Sequence, residues 1–411
     1  MAKVYSDRIY VSIDVGTTKI CVLIAQHLHD NQIEILGIGR VPSAGLRKGV
    51  VVDVAKTIHS IKAAIKEAEL MAGMQIESAY IGISGGHISS VNSQGMVPIA
   101  KGEVRETDIA NVLAAAKAIP VPEGQQILHV LPQYFVIDGQ EKIHDPLGMH
   151  GIRLEVQAHI ILGAIASVQN LVKCCEMAGV KVNDIILEQL ASADAVLSDD
   201  EKELGIAVLD IGGGTSDFAV YQHGSIRHTK VIPVAGNHFT NDLAIGLRIT
   251  LADAERIKRE QGGAMLAAEE NNAIIEVEMV QGSKKNSVQL HEVVSILKPR
   301  AQEIMALVHD EILKYHLQPF MRTGLVLTGG GSLLKGFKEI AEDIVKIPIR
   351  FGSPRVLYDI PESLENPIYA TGYGLLLHTI KKEQKALMNT MNGPLVTRIV
   401  SRMKSWVADF F

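Results

Sequence analysis

Two short turns, far apart in the 411-residue chain, carry the same residue types in the same order. The first runs from Asp14 to Lys19 and the second from Asp210 to Asp217, and each lies between two apolar segments of β type. Glycine lets the backbone approach an anion so closely that successive N–H groups can point at phosphate oxygens. A carboxylate at a strand end can hold a hydrated Mg²⁺ that bridges phosphates. An ordinary glycine-rich hairpin would explain one such turn, but the matching pair predicts two hairpins that hold a phosphate chain from both sides.

A third glycine cluster, Gly329–Gly331, follows the apolar strand Leu325–Leu327 and precedes a helix expected near Leu333–Ile344. The N-terminus of a helix favours anions. Alone this signal is weak, but after the two hairpins it predicts the cover of a nucleoside. Two further segments have simpler explanations, since Ala254–Glu260 is typical of a solvated helix face and Gly236-Asn237 of a plain turn.

Glu188 stands between an apolar strand and a helix of small residues. A carboxylate at this point could orient a water towards a γ-phosphate, and such positioning supplies much of a protein's contribution to phosphoryl transfer. A carboxylate that interacts with the dipole of a helix N-terminus explains the same placement. Spacing alone leaves both interpretations open.

Bulk composition indicates a globular protein of two to three domains, at about 150 residues per domain. Hydrophobic residues make up 47% of the chain and charged residues 21%, which fits a sizeable core. The formal charge of −6 gives no sign of a nucleic-acid partner. The three cysteines lack metal or disulfide spacing, and neither a leader segment nor an apolar run of about 18 residues is evident. We therefore expect a cytosolic protein.

The order of the elements predicts a repeated α/β unit with an insertion. A helix over 53–73 leads into a strand at 79–83, and the pattern then changes to short strands and one helix over 85–163. The α/β pattern resumes with a helix at 166–178, and a second unit repeats the strand–turn–strand start of the first. Residues 240–300 are mostly polar and helical in pattern.

The C-terminal segment 395–411 predicts an amphipathic helix whose apolar residues fall within an arc of about 160°. Its other face is cationic, and it carries the only tryptophan of the chain. A polar linker precedes it at 381–394, and a flexible linker of this length reaches roughly 20 Å. Docking on the protein body is one fate for such a helix, but the tether, the cations and the aromatic residues favour a lipid interface. The membrane-facing residues are Leu395, Val396, Ile399, Val400, Met403, Trp406, Val407, Phe410 and Phe411.

These features resemble the five-part nucleotide fingerprint of the actin, Hsp70 and sugar-kinase superfamily. Within it, the chain resembles the FtsA family of bacterial cell-division proteins along essentially its whole length. The narrower evidence is Ile13–Lys19, Leu187–Ser192, Asp210–Asp217, the insertion and the amphipathic tail. The resemblance implies an α/β fold with the two lobes of an actin-like ATPase, an inserted small α+β subdomain and a C-terminal amphipathic helix, with ATP and Mg²⁺ between the lobes.

Domain boundaries follow from combining the resemblance with the pattern of elements. The expected divisions are 1–84 with 164–200 for the first nucleotide lobe, 85–163 for the inserted subdomain, 201–380 for the second lobe with a partner-binding subdomain at 240–300, 381–394 for the linker, and 395–411 for the membrane-targeting helix.

The resemblance also assigns roles to single residues, with Glu188 at the water-activating position. Asp14 and Asp210 would hold Mg²⁺ through water. The phosphate loops would be formed by Asp14, Gly16, Thr17, Thr18, Lys19, Asp210, Gly212, Gly213, Gly214 and Thr215. The nucleoside would be held by Gly236, Asn237, Glu255, Lys258, Arg259, Gly329, Gly330 and Gly331.

Members of the resembled family polymerise on the cytoplasmic membrane, bind the tubulin-like FtsZ through the lobe around 240–300 and tether the division ring. The resemblance therefore implies FtsZ, anionic lipids, later division proteins and further copies of the chain as partners, with midcell at the inner membrane as the location. The family often has Glu-Pro-Arg near the partner groove, where this chain has Lys298-Pro299-Arg300. Arg300 matches, while the charge pattern beside it differs.

Other functions of the same superfamily remain as alternatives. A small-molecule kinase would need a base near the γ-phosphate, and Asp194 is the nearby candidate. An actin-like ATPase of pilus assembly would share the phosphate loops but would be expected to lack the tail. A chaperone is disfavoured because no substrate-binding domain follows the nucleotide lobes. For the preferred function we expect weak or regulatory ATPase activity at most.

Overall fold

The computed structural model describes residues 8–28, 33–265, 273–279, 285–354 and 361–392. Within these ranges the chain forms two five-stranded sheets, one four-stranded sheet and two short hairpins. No helix in the described part is long and apolar enough to cross a membrane. The amphipathic helix predicted for the C-terminal tail lies outside the described residues.

The first sheet has the strand order β11-β6-β1-β2-β3, with β1 antiparallel to β2 and parallel to β6. Helix α1 packs on one face and α10 on the other, so the central strands are buried on both faces and carry continuous apolar runs. The strands are β1 Arg8–Val15, β2 Lys19–His27, β3 Ile33–Pro42, β6 Ser78–Ile83 and β11 Lys181–Leu187. The helices are α1 Val54–Ala72, α3 Ile165–Met177, α4 Glu188–Val196 and α10 Ala370–Asn392.

Local signals in the sequence set the ends of α1. The side chain of Asp53 accepts a hydrogen bond from the backbone N–H of Lys56 at the N-terminus. Gly73 ends the helix in the left-handed conformation with φ 68°, which glycine adopts without a steric penalty. The helix predicted over 53–73 is confirmed.

The second sheet repeats the topology of the first, with the order β14-β13-β12-β17-β18. An antiparallel hairpin again starts the unit, and two parallel strands again extend it. The strands are β12 Ile206–Ile211, β13 Ser216–Gln222, β14 Ser225–Ile232, β17 Leu325–Thr328 and β18 Ile349–Phe351. The remaining elements of this lobe are α5 Asp199–Leu204, α6 Gly236–Leu247, α7 Leu251–Glu260, β15 Ile274–Glu278, β16 Lys285–Gln289, α8 Leu290–Lys314 and α9 Phe337–Val345. The repeat predicted from the sequence is confirmed.

A separate module lies between β6 and α3 in chain order. Its sheet has the order β7-β10-β8-β9, and α2 packs so closely on it that a Cβ on Gly95 would lie 2.2 Å from the carbonyl oxygen of Val112. Its elements are β7 Ser89–Pro98, α2 Glu106–Ala116, β8 Gln125–Ile137, β9 Gln140–Ile143 and β10 Arg153–Ala164. The small hairpin β4 Leu46–Arg47 and β5 Val50–Val51 precedes α1.

The inserted module contacts the second lobe although its chain connections are to the first. His159 lies in β10, and its Nε2 is 2.9 Å from Oγ1 of Thr229 in β14. Gln133 of β8 donates to the carbonyl oxygen of Ile226 at 2.9 Å. Since β14 is the outer strand of the second sheet, the module covers part of that edge.

The segment expected to be a flexible linker, 381–394, is helical over most of its length, because α10 continues to Asn392. Glu383 accepts hydrogen bonds from the hydroxyls of Tyr10 and Tyr80, which fixes this part of α10 to the first sheet. The prediction of flexibility was wrong because the segment is polar but rich in strong helix formers, namely lysine, glutamate, glutamine, alanine, leucine and methionine.

The helix expected near 333–344 begins later, at Phe337. A 3₁₀ turn over Gly330–Leu333 comes first, so the glycine cluster leads into a short tight turn before the α-helix.

Candidate functional site

The tips of the two predicted hairpins meet in the structure. A Cβ on Gly213 would lie 1.7 Å from Oγ1 of Thr18, and one on Gly214 would lie 2.4 Å from Oγ1 of Thr17. Neither distance leaves room for a side chain. The glycines of the second loop are therefore required by the close approach of the first.

Three aspartates lie in buried strands, each one residue from the strand end at this junction. Asp14 is 4% exposed at the end of β1, and Asp210 in β12 faces Asp217 in β13 across the hairpin. Lys19 forms an ion pair with Asp14, with 2.6 Å between Nζ and Oδ2. The hydroxyl of Thr371 donates to Oδ2 of Asp210 at 2.9 Å.

Asp217 joins three parts of the chain, and sequence reasoning gave it no role. It accepts hydrogen bonds from Ser84 Oγ at 2.5 Å, Gln189 Nε2 at 2.8 Å and Thr215 Oγ1 at 3.1 Å. Ser84 follows β6 and Gln189 lies in α4, so this one carboxylate connects the first lobe, the second phosphate loop and the helix between them. The available signal was its position as the last residue of the second motif.

The buried carboxylates at this junction form a cluster, and it holds more negative charge than the neighbouring cations neutralise. Burial, with the neighbouring carboxylates, raises the pKa of Asp210 to about 6 and that of Asp217 to about 7. The pKa of Glu188 is raised well above its usual range for the same reasons. Burial opposes the charge of Lys19, but the Asp14 carboxylate outweighs it and raises the lysine pKa.

This donor set fits a hydrated divalent cation. Among the described residues no group of three or more histidine, cysteine or carboxylate side chains is arranged to ligate a metal directly. Mg²⁺ usually keeps several waters and needs only one or two carboxylates. Contact through water by Asp14 and Asp210 remains a prediction, and the unneutralised charge supports it.

Glu188 is the first residue of α4 and lies against β6, where a Cβ on Gly82 would be 3.1 Å from its Cγ. The adjacent Gln189 is fully buried, and its Oε1 has no hydrogen-bond partner within the described ranges. An ordered water is the usual partner of such a buried polar atom. Glu188 therefore lies at a helix N-terminus and is followed by a side-chain oxygen that can accept a further hydrogen bond.

The predicted second phosphate loop lies against the N-terminus of α6. The N–H of Gly236 donates to the carbonyl oxygen of Gly212 at 3.0 Å, and that of Asn237 donates to Gly213 at 2.8 Å. Lys258 of α7 donates to the carbonyl oxygen of Gly236 at 3.2 Å.

Gly236, Asn237 and Lys258 form a corner between α6 and α7. Glu255 joins this corner through its ion pair with Lys258, at 2.6 Å between Oε2 and Nζ. Four of the predicted nucleoside contacts thus lie together. Arg259 is exposed to solvent, and no contact links it to this corner within the described residues.

The third glycine cluster lies against the end of β12. Gly329 adopts φ 80°, and a Cβ there would lie 2.2 Å from Oδ1 of Asp210. A Cβ on Gly331 would lie 2.5 Å from Cγ2 of Ile211, while Gly330 is exposed. All three glycine clusters predicted from the sequence therefore lie around the junction at Asp210.

Asp194, the candidate base of the kinase alternative, is held in ion pairs. Its Oδ1 lies 2.5 Å from Nζ of Lys202 and its Oδ2 lies 2.7 Å from Nδ1 of His378. Burial opposes its charge, but Lys202 and His378 outweigh burial and lower its pKa. A carboxylate held in this way is a poor proton acceptor.

Arg300 lies in α8 on the wall of a shallow groove in the second lobe. Its Nε is 2.7 Å from Oδ2 of Asp242, and its Nη1 contacts Glu303. Ile296 and Pro299 complete the lining of this groove, whose volume is about 400 Å³. The arginine charge is therefore balanced by two carboxylates within the groove.

Comparison with known families and proteins agrees with this architecture. The family model described as cell division protein FtsA matches residues 207–374, and the model described as the SHS2 domain inserted in FtsA matches residues 85–162. Cell division protein FtsA of Pseudomonas aeruginosa is 42% identical, with 100% of both chains covered. The Escherichia coli K12 protein of the same name is 37% identical over 99% of this chain and 97% of its own length.

Solved structures share the fold at low sequence identity. The PilM–PilN type IV pilus biogenesis complex matches with a TM-score of 0.64 and 17% identity, covering 90% of this chain and 98% of the other. MreB5 of Spiroplasma citri bound to ADP matches with a TM-score of 0.56 and 18% identity, covering 94% and 99%. The predicted fold class, an actin-like α/β fold with an inserted subdomain, is confirmed. Because relatives more than a third identical span the whole chain, it belongs to the FtsA family of cell division proteins.

Proposed function

We propose that the chain binds ATP with Mg²⁺ between its lobes, assembles with further copies on the cytoplasmic face of the inner membrane, and anchors the FtsZ ring there at midcell. The observation that carries the nucleotide part is the junction of two glycine hairpins at a buried carboxylate cluster. Such a cluster needs a cation, and such loops need an anion. Magnesium nucleotide supplies both.

We propose one role for each group of residues in the cleft, according to its position. The loops starting at Asp14 and Asp210 bind the phosphates and, through water, Mg²⁺. The corner of Gly236, Glu255 and Lys258 holds the ribose side, and the cluster at Gly329 covers the base. Bound Mg²⁺ would neutralise charge on the phosphates.

Hydrolysis, where it occurs, would use Glu188. Burial raises the pKa of Glu188 well above its usual range, which makes its carboxylate a stronger base than that of an exposed glutamate. Gln189 would help to hold the attacking water through its unpartnered Oε1. We propose weak or regulatory turnover, because the family role needs assembly control and not a released product.

The membrane part of the proposal depends on the C-terminal sequence. The cationic amphipathic segment 395–411 follows α10, which the structure describes to Asn392. Glu383 fixes α10 to the first lobe, and the helix continues to Asn392, two residues short of the tail segment. The proposed lipid-binding helix would therefore follow a helix and not a long flexible linker.

We assign FtsZ to the groove at Arg300, within the segment 240–300. The groove combines an apolar wall at Ile296 and Pro299 with balanced charges, which suits a segment that carries both apolar and charged side chains. The inserted module is proposed to contact later division proteins.

A reconstitution with the full chain tests the proposal. FtsZ, anionic vesicles and Mg-ATP are mixed with and without the chain, and bound FtsZ is measured by vesicle flotation. We expect FtsZ to float only when the chain is present, and more FtsZ to float with Mg-ATP than with a chelator. FtsZ that remains in the bottom fraction with the chain on the vesicles would contradict the anchoring role.

The kinase alternative is weakened by the ion pairs of Asp194. The pilus alternative has the PilM fold similarity in its favour, but it gives no reason for the cationic, tryptophan-bearing tail.

A further inference from the structure

The hairpin β4–β5 carries two residues with positive φ at its tip. Lys48 has φ 51° and Gly49 has φ 77°. Two-residue turns of this kind favour asparagine, aspartate or glycine at the first position. A lysine there is uncommon, and residues held in such conformations cluster at ligand sites.

The tip touches both phosphate loops. The N–H of Gly49 donates to Oγ1 of Thr17 in the first loop at 3.0 Å. A Cβ on Gly214 in the second loop would lie 3.0 Å from Cα of Lys48. The hairpin therefore borders the phosphate loops from outside the five-part fingerprint.

The two phosphate loops meet at two points, and each point adjoins a different part of the chain. Thr18 and Gly213 adjoin Asn237, which leads to the corner proposed for the nucleoside. Thr17 and Gly214 adjoin the hairpin tip instead. A nucleotide whose sugar lies at the first point would extend its phosphates towards the second.

The hairpin also lies beside the hydrogen-bond network of Asp217, to which the proposed hydrolytic residue Gln189 donates. A Cβ on Gly49 would lie 2.7 Å from the carbonyl oxygen of Ser84, whose hydroxyl donates to Asp217. Behind this contact, a Cβ on Gly85 would lie 2.7 Å from Nδ1 of His87. Both ring nitrogens of His87 are buried without a hydrogen-bond partner in the described part of the chain.

The charge of Lys48 is free for a ligand. Within the described residues it has no ion-pair partner, and its side chain is exposed. Burial lowers the pKa of His238 in the first turn of α6, and the charge of Lys48 adds to this effect. Lys48 therefore lies near enough to the start of α6, on the second lobe, for its charge to act there.

We propose that the Lys48 ammonium contacts the terminal phosphate of a nucleoside triphosphate, while Gly49 holds the turn against the first loop, so that the hairpin distinguishes triphosphate from diphosphate. This rests on the proposed nucleotide binding. The ammonium supplies the charge that a third phosphate requires, and a diphosphate does not reach it. Because Gly49 contacts Ser84 and Gly85, the hairpin also touches the start of the inserted module.

The test compares two nucleotides on the full chain by isothermal titration calorimetry. The ligands are Mg-ADP and the magnesium complex of a non-hydrolysable ATP analogue. For Lys48→Gln we expect about a tenfold loss of affinity for the analogue, equivalent to about 1.4 kcal/mol, and an ADP affinity within about twofold of the unmodified chain. Arg47→Gln, which removes the neighbouring cation of the same hairpin, is the matched control and should leave both affinities unchanged.

A second variant separates the effect of the lysine charge on binding from the effect of the backbone conformation. Lys48→Gly suits the positive φ, so misfolding would not explain a loss of analogue binding. Equal losses for both nucleotides, or no loss for either, would overturn the role of Lys48. Failure of the unmodified chain to bind any nucleotide would instead overturn the proposed function, so the two outcomes are distinguishable.

Discussion

The hydroxyl of Thr371, the second residue of α10, donates to the carboxylate of Asp210 at 2.9 Å. The next residue, Gly372, accepts a hydrogen bond from Ser12 of β1 at 2.9 Å. One continuous helix therefore starts at the carboxylate cluster and runs to Asn392, just before the proposed membrane segment. The helix that starts at the proposed phosphate site therefore ends two residues short of the segment proposed to bind lipid.

Asp210→Asn should stabilise the chain in the absence of Mg²⁺ and nucleotide, and the gain should grow with pH. The folded-state pKa of about 6 lies above the unfolded value of 3.8, so the folded state binds more protons and ionisation destabilises it as pH rises from about 4 to 6. Asparagine keeps an acceptor for Thr371 without the charge. Calorimetric Tm values of both proteins at pH 5.0 and 7.5 check this.

The same variant should bind Mg-ATP at least tenfold more weakly, measured by titration calorimetry. Asp200→Asn, at an exposed position in α5, is the control and should match the unmodified chain. Undiminished Mg-ATP affinity in Asp210→Asn would refute the phosphate-loop assignment.

Glu188→Gln should slow ATP hydrolysis by about a hundredfold or more, because the change removes a positioned base. Binding of Mg-ADP should stay within about twofold, since glutamine conserves the shape of the buried side chain. Single-turnover phosphate release measures the rate. A rate equal to that of the unmodified chain would leave Glu188 with its helix-terminal role alone.

Trp406→Glu should abolish flotation of the full chain with anionic vesicles, because a carboxylate on the apolar face opposes both insertion and charge attraction. Ser405→Glu adds the same charge on the polar face and should reduce flotation only slightly. Equal flotation of the two variants would count against an apolar face in the lipid. Mg-ATP binding should be unaffected in both.

Arg300→Glu should weaken cosedimentation with FtsZ polymers about tenfold. The groove would then contain three adjacent carboxylates at 242, 300 and 303, which repel one another and any acidic segment. Arg322→Glu, at an exposed position outside the groove, is the control. If both variants bind FtsZ alike, the partner site lies elsewhere.

Local patterns in the sequence were sufficient to predict the two hairpins and the insertion. A strand–turn–strand motif is set by residues within about 15 positions of one another, so Asp14 and Asp210 were recognisable without the fold. The hydrogen-bond network at Asp217 was not recognisable from the sequence, because Ser84 and Gln189 reach Asp217 only through the long-range packing of three elements.

Two other features needed the structure for different reasons. The tip at Lys48 departs from the residue preferences of a two-residue turn, so the hairpin was not predicted. The length of α10 was missed because residues 381–392 are polar, and composition alone does not separate a polar helix from a linker. Arg259 shares a helix with Glu255 and Lys258, yet it is exposed and takes no part in their corner.

The contact of the inserted module with β14 has a consequence for assembly. Outer strands of a sheet offer unpaired N–H and C=O groups to any chain that can add a strand. The module bonds to the backbone carbonyl of Ile226 and the side chain of Thr229, so it occupies part of this edge within the same molecule. A strand of another chain therefore cannot pair with β14 where the module lies, and the proposed polymer would have to grow through other surfaces.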